Sequence, residues 1–238
     1  MEPIRVLCSQ TERFNNVRAF FVAEIPDSIT RLLIPLSSLG EEVDSNLELQ
    51  EKIVTTLVNI SYIEESRTVM AQNPLVIPQL TKSLKQGTDD TRRISALTLG
   101  SLSLVDSNKI IIGNSETLRA MIDVIKEGDL SATKEAYYAL YQLDYVLENR
   151  EKAVSEGVIP ALTNMIKSGN NKNLMLSVLT TLSFHNGVLE EKDDIGFIDD
   201  LFRILRNPSS SRTCEVALAM VARVCCLRST GDRNREKL

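Results

Sequence analysis

Apolar and polar positions recur along this chain with a period near 40 residues. Five apolar runs share one phase, and each carries a distinctive residue just before its end. These residues are Asn59, Ser101, Gln142, Thr181 and Arg223, separated by 42, 41, 39 and 42 residues. A period of this size marks a helical solenoid, in which every unit buries its apolar face against its neighbours. Within the fourth unit, Ile159, Leu162 and Ile166 share one helix face, and Leu174, Val178 and Leu182 share another, at spacings near 3.6 residues. Each unit is therefore expected to be a short helix, a second helix and a long third helix.

Other landmarks keep the same phase. Gly87, Gly128 and Gly169 follow amphipathic stretches at intervals of 41 residues. They are expected to close the second helices in the left-handed conformation that glycine adopts without steric cost. Ile77-Pro78 and Ile159-Pro160 stand 82 residues apart, two periods, and proline suits the first turn of the helix that follows. Segments around Arg67, Asn108-Lys109 and Asn149-Arg150 align as first helices.

The ends depart from the pattern. Residues 14–24, with Phe14, Val17, Phe20 and Phe21, read as a partial helix capping the stack. The organisation expected is an extension over 1–13, a repeat domain over 14–227, and a polar, unstructured tail over 228–238. Repeats are placed at 14–64, 65–106, 107–147, 148–187 and 188–227, with an acidic insertion at Glu41-Glu42-Val43-Asp44 and Asn207-Pro208 in place of the last glycine.

Composition narrows the function classes. A net charge of −5 and an isoelectric point near 5.1 give no basic footprint for nucleic acid. No apolar run reaches the roughly 20 residues that span a bilayer, and the first residues carry no secretory signal pattern. The four cysteines, Cys8, Cys214, Cys225 and Cys226, lack metal-ligand or disulfide-framework spacing and suit a reducing cytoplasmic or nuclear compartment. The single histidine, His185, has no nucleophile elbow beside it, and no phosphate-cradling glycine loop occurs. No catalytic, cofactor or metal site is expected.

The period, the three-helix unit and the Ile-Pro and Lys-x-Gly landmarks resemble armadillo repeats. Several stretches resemble the armadillo region of plant U-box ubiquitin ligases: Glu48-Leu49-Gln50-Glu51 before Val54–Ser61, Val105–Lys109 with Ile112-Gly113, Ile125–Gly128 with Ala132, Lys134, Glu135 and Ala136, and Glu148-Asn149-Arg150 with Ala153-Val154. The likeness runs from about Phe20 to Leu205. It implies an all-α, right-handed superhelical solenoid of five three-helix repeats with a partial N-terminal cap. It also implies a module that recruits substrates or upstream receptors, while a separate U-box docks the conjugating enzyme. No U-box pattern precedes the first predicted helix, so this polypeptide is expected to have no ligase activity of its own, whether as a fragment or as a U-box-less relative. A stand-alone scaffold in signalling is the alternative.

The resemblance also implies that third helices line a concave groove. In peptide-binding armadillo proteins the ladder position is asparagine, whose amide holds a peptide backbone. Asn59 keeps that residue; Ser101, Gln142 and Thr181 replace it, and an import-receptor role is not expected. One and two turns earlier lie Tyr138 and Ser177, then Arg93 and Lys134. With Arg92, these give the middle of the groove a basic character. The expected partner is a protein segment with acidic or phosphorylated residues, gripped by Arg93 and Lys134 and anchored on Tyr138. The same residues would equally serve as solvated charges on a helix face. The acidic run Glu190–Asp194 reads as a solvated loop.

Overall fold

The computed structural model describes residues 1–37, 46–113, 116–127, 130–162 and 195–208, with 211, 214, 215, 217–222 and 225. The described residues are helical and contain no strand. They divide into two compact units, 1–146 and 147–238.

Among the described residues the first unit holds ten helices: α1 (Glu2–Arg13), α2 (Asn15–Ala23), α3 (Ser28–Ser37), α4 (Leu47–Ser61), α5 (Glu64–Gln72), α6 (Val76–Gln86), α7 (Asp89–Leu102), α8 (Asp106–Gly113), α9 (Thr117–Glu127) and α10 (Leu130–Leu143). Local sequence explains where they begin. Thr88 caps α7, its side chain accepting from the Thr91 N–H at 3.2 Å, and Asp89 and Asp90 occupy the first turn, where the helix dipole favours anions. Pro78 sits in the first turn of α6, where no intrahelical donor is lost.

Like packs on like. The long helices α1, α4, α7 and α10 lie side by side in sequence; α5 packs on α8, and α3, α6 and α9 form a further row. This is the all-α armadillo arrangement, each helix type stacking on its counterpart one period away. Ile53, Leu57 and Ile60 of α4, Leu99 and Leu102 of α7 and Leu140 and Leu143 of α10 are fully buried between the rows. Burial of such side chains supplies about 1.5–3 kcal/mol each before conformational entropy is subtracted. Small residues bring α7 and α10 together: Gly100 lies against Tyr138 and Ala139, and Ala96, Ala132 and Ala136 are buried.

Residues 1–13, expected as an extension ahead of the repeats, instead form α1, which takes the third-helix place before α4. It buries Cys8 and Thr11 there. The aromatic segment after it is α2, in which only Phe21 is buried while Phe20 stays exposed.

The glycine expectation is corrected at Gly87. Its φ is −76° and ψ 170°, an extended conformation open to any residue. Glycine is needed for space: a Cβ there would stand 2.5 Å from the Ser83 carbonyl oxygen and 2.8 Å from Thr91 Cγ2. Among the described glycines, Gly157 has a positive φ, at 83°. Gly128 and Gly169 lie outside the described residues, as do the 41–44 insertion, His185, the 190–194 run and the 228–238 tail.

The second unit contains α11 (Leu147–Ser155), helical residues 158–162 and α12 (Ile195–Arg206). Ala153, Val158, Leu162, Leu201 and Met220 are buried in it. No described helix of either unit is long and apolar enough to cross a membrane.

Candidate protein-recognition face

The ladder positions are drawn into the fold. Asn59 is 6% exposed, and its Nδ2 donates to Thr11 Oγ1 at 3.3 Å and to the Cys8 carbonyl at 3.4 Å, both on α1. Ser101 is 9% exposed, and its Oγ donates to the Ser61 carbonyl at the end of α4. Each therefore ties its third helix to the one before, and Ser101 does so at the last residue of α4, where helix carbonyls lack intrahelical donors. Gln142 is half-buried. Ser177, Thr181 and Arg223 lie outside the described residues.

Similar polar ties recur between other counterparts. Asn73 Nδ2 donates to Thr30 Oγ1 at 2.8 Å, Thr81 and Thr117 share a hydroxyl hydrogen bond of 2.6 Å, and Asn108 Nδ2 donates to the Arg67 carbonyl at 3.0 Å. Arg18 caps the carbonyl end of α1 through Thr11 and Glu12, and Arg67 Nε caps Ser61 at 2.8 Å. These bonds explain why polar residues recur along the stack: each satisfies a polar group of the adjacent unit, for about 0.5–1.5 kcal/mol net apiece where the pair is buried.

What the third helices expose is arranged in rows. Glu51, Arg93 and Lys134 form one row, on α4, α7 and α10 in turn. One turn on lie Thr55, Leu97 and Tyr138. Beyond the ladder lie Tyr62, Leu104 and Tyr145, which are 53%, 42% and 57% exposed. The face is thus charged towards the N-terminal ends of these helices and apolar towards the other.

Arg93 is half-buried and stands 3.7 Å from Asp90, and Lys134 is exposed. Arg92, expected to add to the basic middle, turns to the opposite side. Its Nε donates to the Leu84 carbonyl at 3.0 Å and its terminal nitrogen pairs with Glu127. The basic character of the face therefore rests on Arg93 and Lys134, with acidic Glu51 and Asp90 beside them.

Tyr138 is 37% exposed, and its ring rests on α7 where a Cβ at Gly100 would meet Cδ1 at 3.0 Å. Tyr141 follows on the same stripe of α10, and Tyr145 stands in the turn just past its end. Their rings meet edge-on at 5.6 Å, and their hydroxyls are joined at 2.9 Å. Lys109 Nζ lies 5.0 Å from the Tyr145 ring while bonding Asp106 at 2.6 Å, and Arg18 lies 5.5 Å from the Tyr62 ring. Cations over rings fix aromatic side chains that would otherwise rotate freely. Tyr62, Leu104, Tyr141 and Tyr145 were not among the residues expected from sequence. The signal was present, since Tyr62, Leu104 and Tyr145 each stand three residues after a ladder position.

Comparison with known proteins agrees with this architecture. The model of the plant U-box protein ARM repeat region matches residues 21–232. U-box domain-containing protein 46 of Arabidopsis thaliana is 57% identical over all of this chain, and U-box domain-containing protein 47 of the same plant is 52% identical over 94% of it. U-box domain-containing protein 9 is 37% identical over 90% of the chain. The chain spans about half the length of these curated relatives. Crystal structures of two engineered proteins superpose with TM-scores of 0.68 and 0.66 over 95% and 94% of this chain, covering 98% and 99% of theirs. At 16% and 14% identity these share the fold alone. The periodic helical stack and the match over nearly its whole length place the chain in the plant U-box protein family, as a member of its armadillo-repeat region.

Proposed function

We propose that the chain is the substrate- or receptor-recognition module of a U-box-type ubiquitin ligase, and that ubiquitin transfer depends on a U-box rather than on these repeats. Membership of an armadillo family supports protein binding as the chemistry. The observation that favours a particular place is the exposed face of α4, α7 and α10, which sets Arg93 and Lys134 beside the tyrosines of α10. Arginine and lysine attract carboxylate or phosphate groups, and rigid aromatic area supplies affinity at low entropic cost. The segment recognised there is acidic or phosphorylated, and recognition takes place in the cytoplasm or nucleus.

The test is retention on the immobilised chain, with and without phosphatase treatment of the extract, against an Arg93→Glu/Lys134→Glu variant of unchanged circular dichroism. Wild type should retain ubiquitylated proteins or receptor fragments that the variant loses. Retention of the same proteins by both would refute the site. Retention of partners with no link to ubiquitin would instead favour a stand-alone scaffold.

A further inference from the structure

The face exposes few of the groups that hold a peptide main chain. An extended segment leaves its N–H and C=O groups unpaired unless the receptor supplies partners at every unit. At two successive units those partners would be Asn59 and Ser101. Both are buried, and their side chains bond α1 and α4 instead. Among the described ladder residues only Gln142 keeps a part-exposed amide. The face offers side-chain area instead: Leu97 on α7 with Leu104 in the turn that follows it, and Tyr138 and Tyr141 on α10 with Tyr145 just past its end. A partner that satisfies its own backbone and presents only side chains fits such a surface, and an α-helix does so.

We propose that the occupant of this face is an amphipathic α-helix with an acidic flank. Its apolar stripe seats on Leu97, Leu104, Tyr138, Tyr141 and Tyr145, and its flank turns towards Arg93 and Lys134. Neighbouring helices stand about 8–10 Å apart. Seven residues of a helix advance about 10 Å, so one heptad carries an apolar anchor from α7 to α10. Three residues of extended chain advance a similar distance, so spacing alone suits both. The backbone requirement favours the helix. The charge of the flank follows from the row next to the apolar rows, which on these two helices is Arg93 and Lys134. The tyrosines are held in advance by the Tyr141–Tyr145 hydroxyl bond and by Lys109, so little ordering is needed on binding. This inference rests on reading the face as a protein-recognition surface.

Two phage-displayed peptide libraries test it against the full chain. One has a helical Ala/Glu framework randomised at i, i+3, i+4 and i+7; the other has linear peptides with two internal prolines, which do not form helices. Helical clones with Asp or Glu beside the apolar stripe should be selected. Their affinity should fall at least tenfold on a Leu104→Glu/Tyr138→Ala variant of unchanged circular dichroism, and likewise on the milder Tyr145→Ala. Clones from the proline library alone, helical clones that bind these variants equally, or no clones at all would overturn the proposal. The charge-reversed Arg93→Glu/Lys134→Glu variant separates the two readings. Proline-rich acidic clones lost on that variant would keep the acidic-segment reading and refute the helix. Helical clones indifferent to it would refute the acidic flank and the acidic-segment reading together.

Discussion

Ser101 Oγ donates a 3.1 Å hydrogen bond to the carbonyl oxygen of Ser61, forty residues earlier and one third helix away. The bond occupies a carbonyl that α4 leaves without a donor at its end, and Arg67 Nε bonds the same oxygen at 2.8 Å. The ladder that marks the repeat in the sequence is, at this step, a seam between units. Asn59 makes the equivalent seam to α1.

Ser101→Ala should therefore lower stability by about 1 kcal/mol, the usual net value of one such bond. Asn59→Ala should cost somewhat more, because it removes the donor to both Thr11 Oγ1 and the Cys8 carbonyl and opens space beneath α1. Urea denaturation followed by circular dichroism reads both. Unchanged midpoints would show that the seam contributes nothing.

Gly87 separates two reasons for a glycine landmark that recurs along the chain. If the requirement is space, Gly87→Ala and Gly87→Asn should both destabilise, by about 1–3 kcal/mol as in other overpacked sites. If a left-handed backbone were required, asparagine would be tolerated far better than alanine. Thermal unfolding of the pair decides, and a stable asparagine variant would contradict the extended geometry found here.

Gly100→Ala probes the seating of Tyr138. Alanine favours a helix interior over glycine by roughly 1 kcal/mol, which opposes the contact of the new methyl with the Tyr138 ring. Stability should change little, while the ring is pushed out of its seat. The expected signature is a shift of the Tyr138 ring resonances with an unchanged melting temperature. An unmoved ring would show that α7 and α10 adjust without it.

Tyr137 lies fully buried in α10, and its hydroxyl has no hydrogen-bond partner among the described residues. Tyr137→Phe removes a desolvated hydroxyl without changing ring volume, so stability should hold or rise, by up to about 1–2 kcal/mol. Burial also pushes the Tyr137 pKa well above its ordinary value of 10.0. Above that pH the unfolded chain loses this proton while the folded chain keeps it. Stability contributed by the protonated form is thus intact below pH 10 and declines as pH rises above it. A wild-type loss of stability above pH 10 that is smaller in Tyr137→Phe is the expected result; a destabilised phenylalanine variant would point to an unseen partner for the hydroxyl.

Much of the fold was legible because repetition is a one-dimensional property. The repeat phase assigned long third helices to the runs that form α4, α7 and α10, and Pro78 to the first turn of the second helix α6. The part of the face carrying Arg93, Lys134 and Tyr138 was legible too, since helical spacing assigns residues to a stripe. Arg92 was not: it follows Thr91 and precedes Arg93 as one basic pair, yet its direction depends on Glu127 and Leu84, on neighbouring helices.

The sequence by itself determined the repeat, the helical class and the family, because each follows from the order and period of side chains along the chain. Tertiary packing decided which polar residues remain available. Asn59 and Ser101 read as groove ligands by position, but the approach of α1 and α4 buries them against polar groups of those helices, Thr11 Oγ1 and the Cys8 carbonyl for Asn59 and the Ser61 carbonyl for Ser101. A carbonyl left without a donor inside a packed stack is costly, so the nearest polar side chain is drawn to it. Packing likewise left Tyr62, Leu104 and Tyr145 exposed to solvent, each in the turn that follows its long helix.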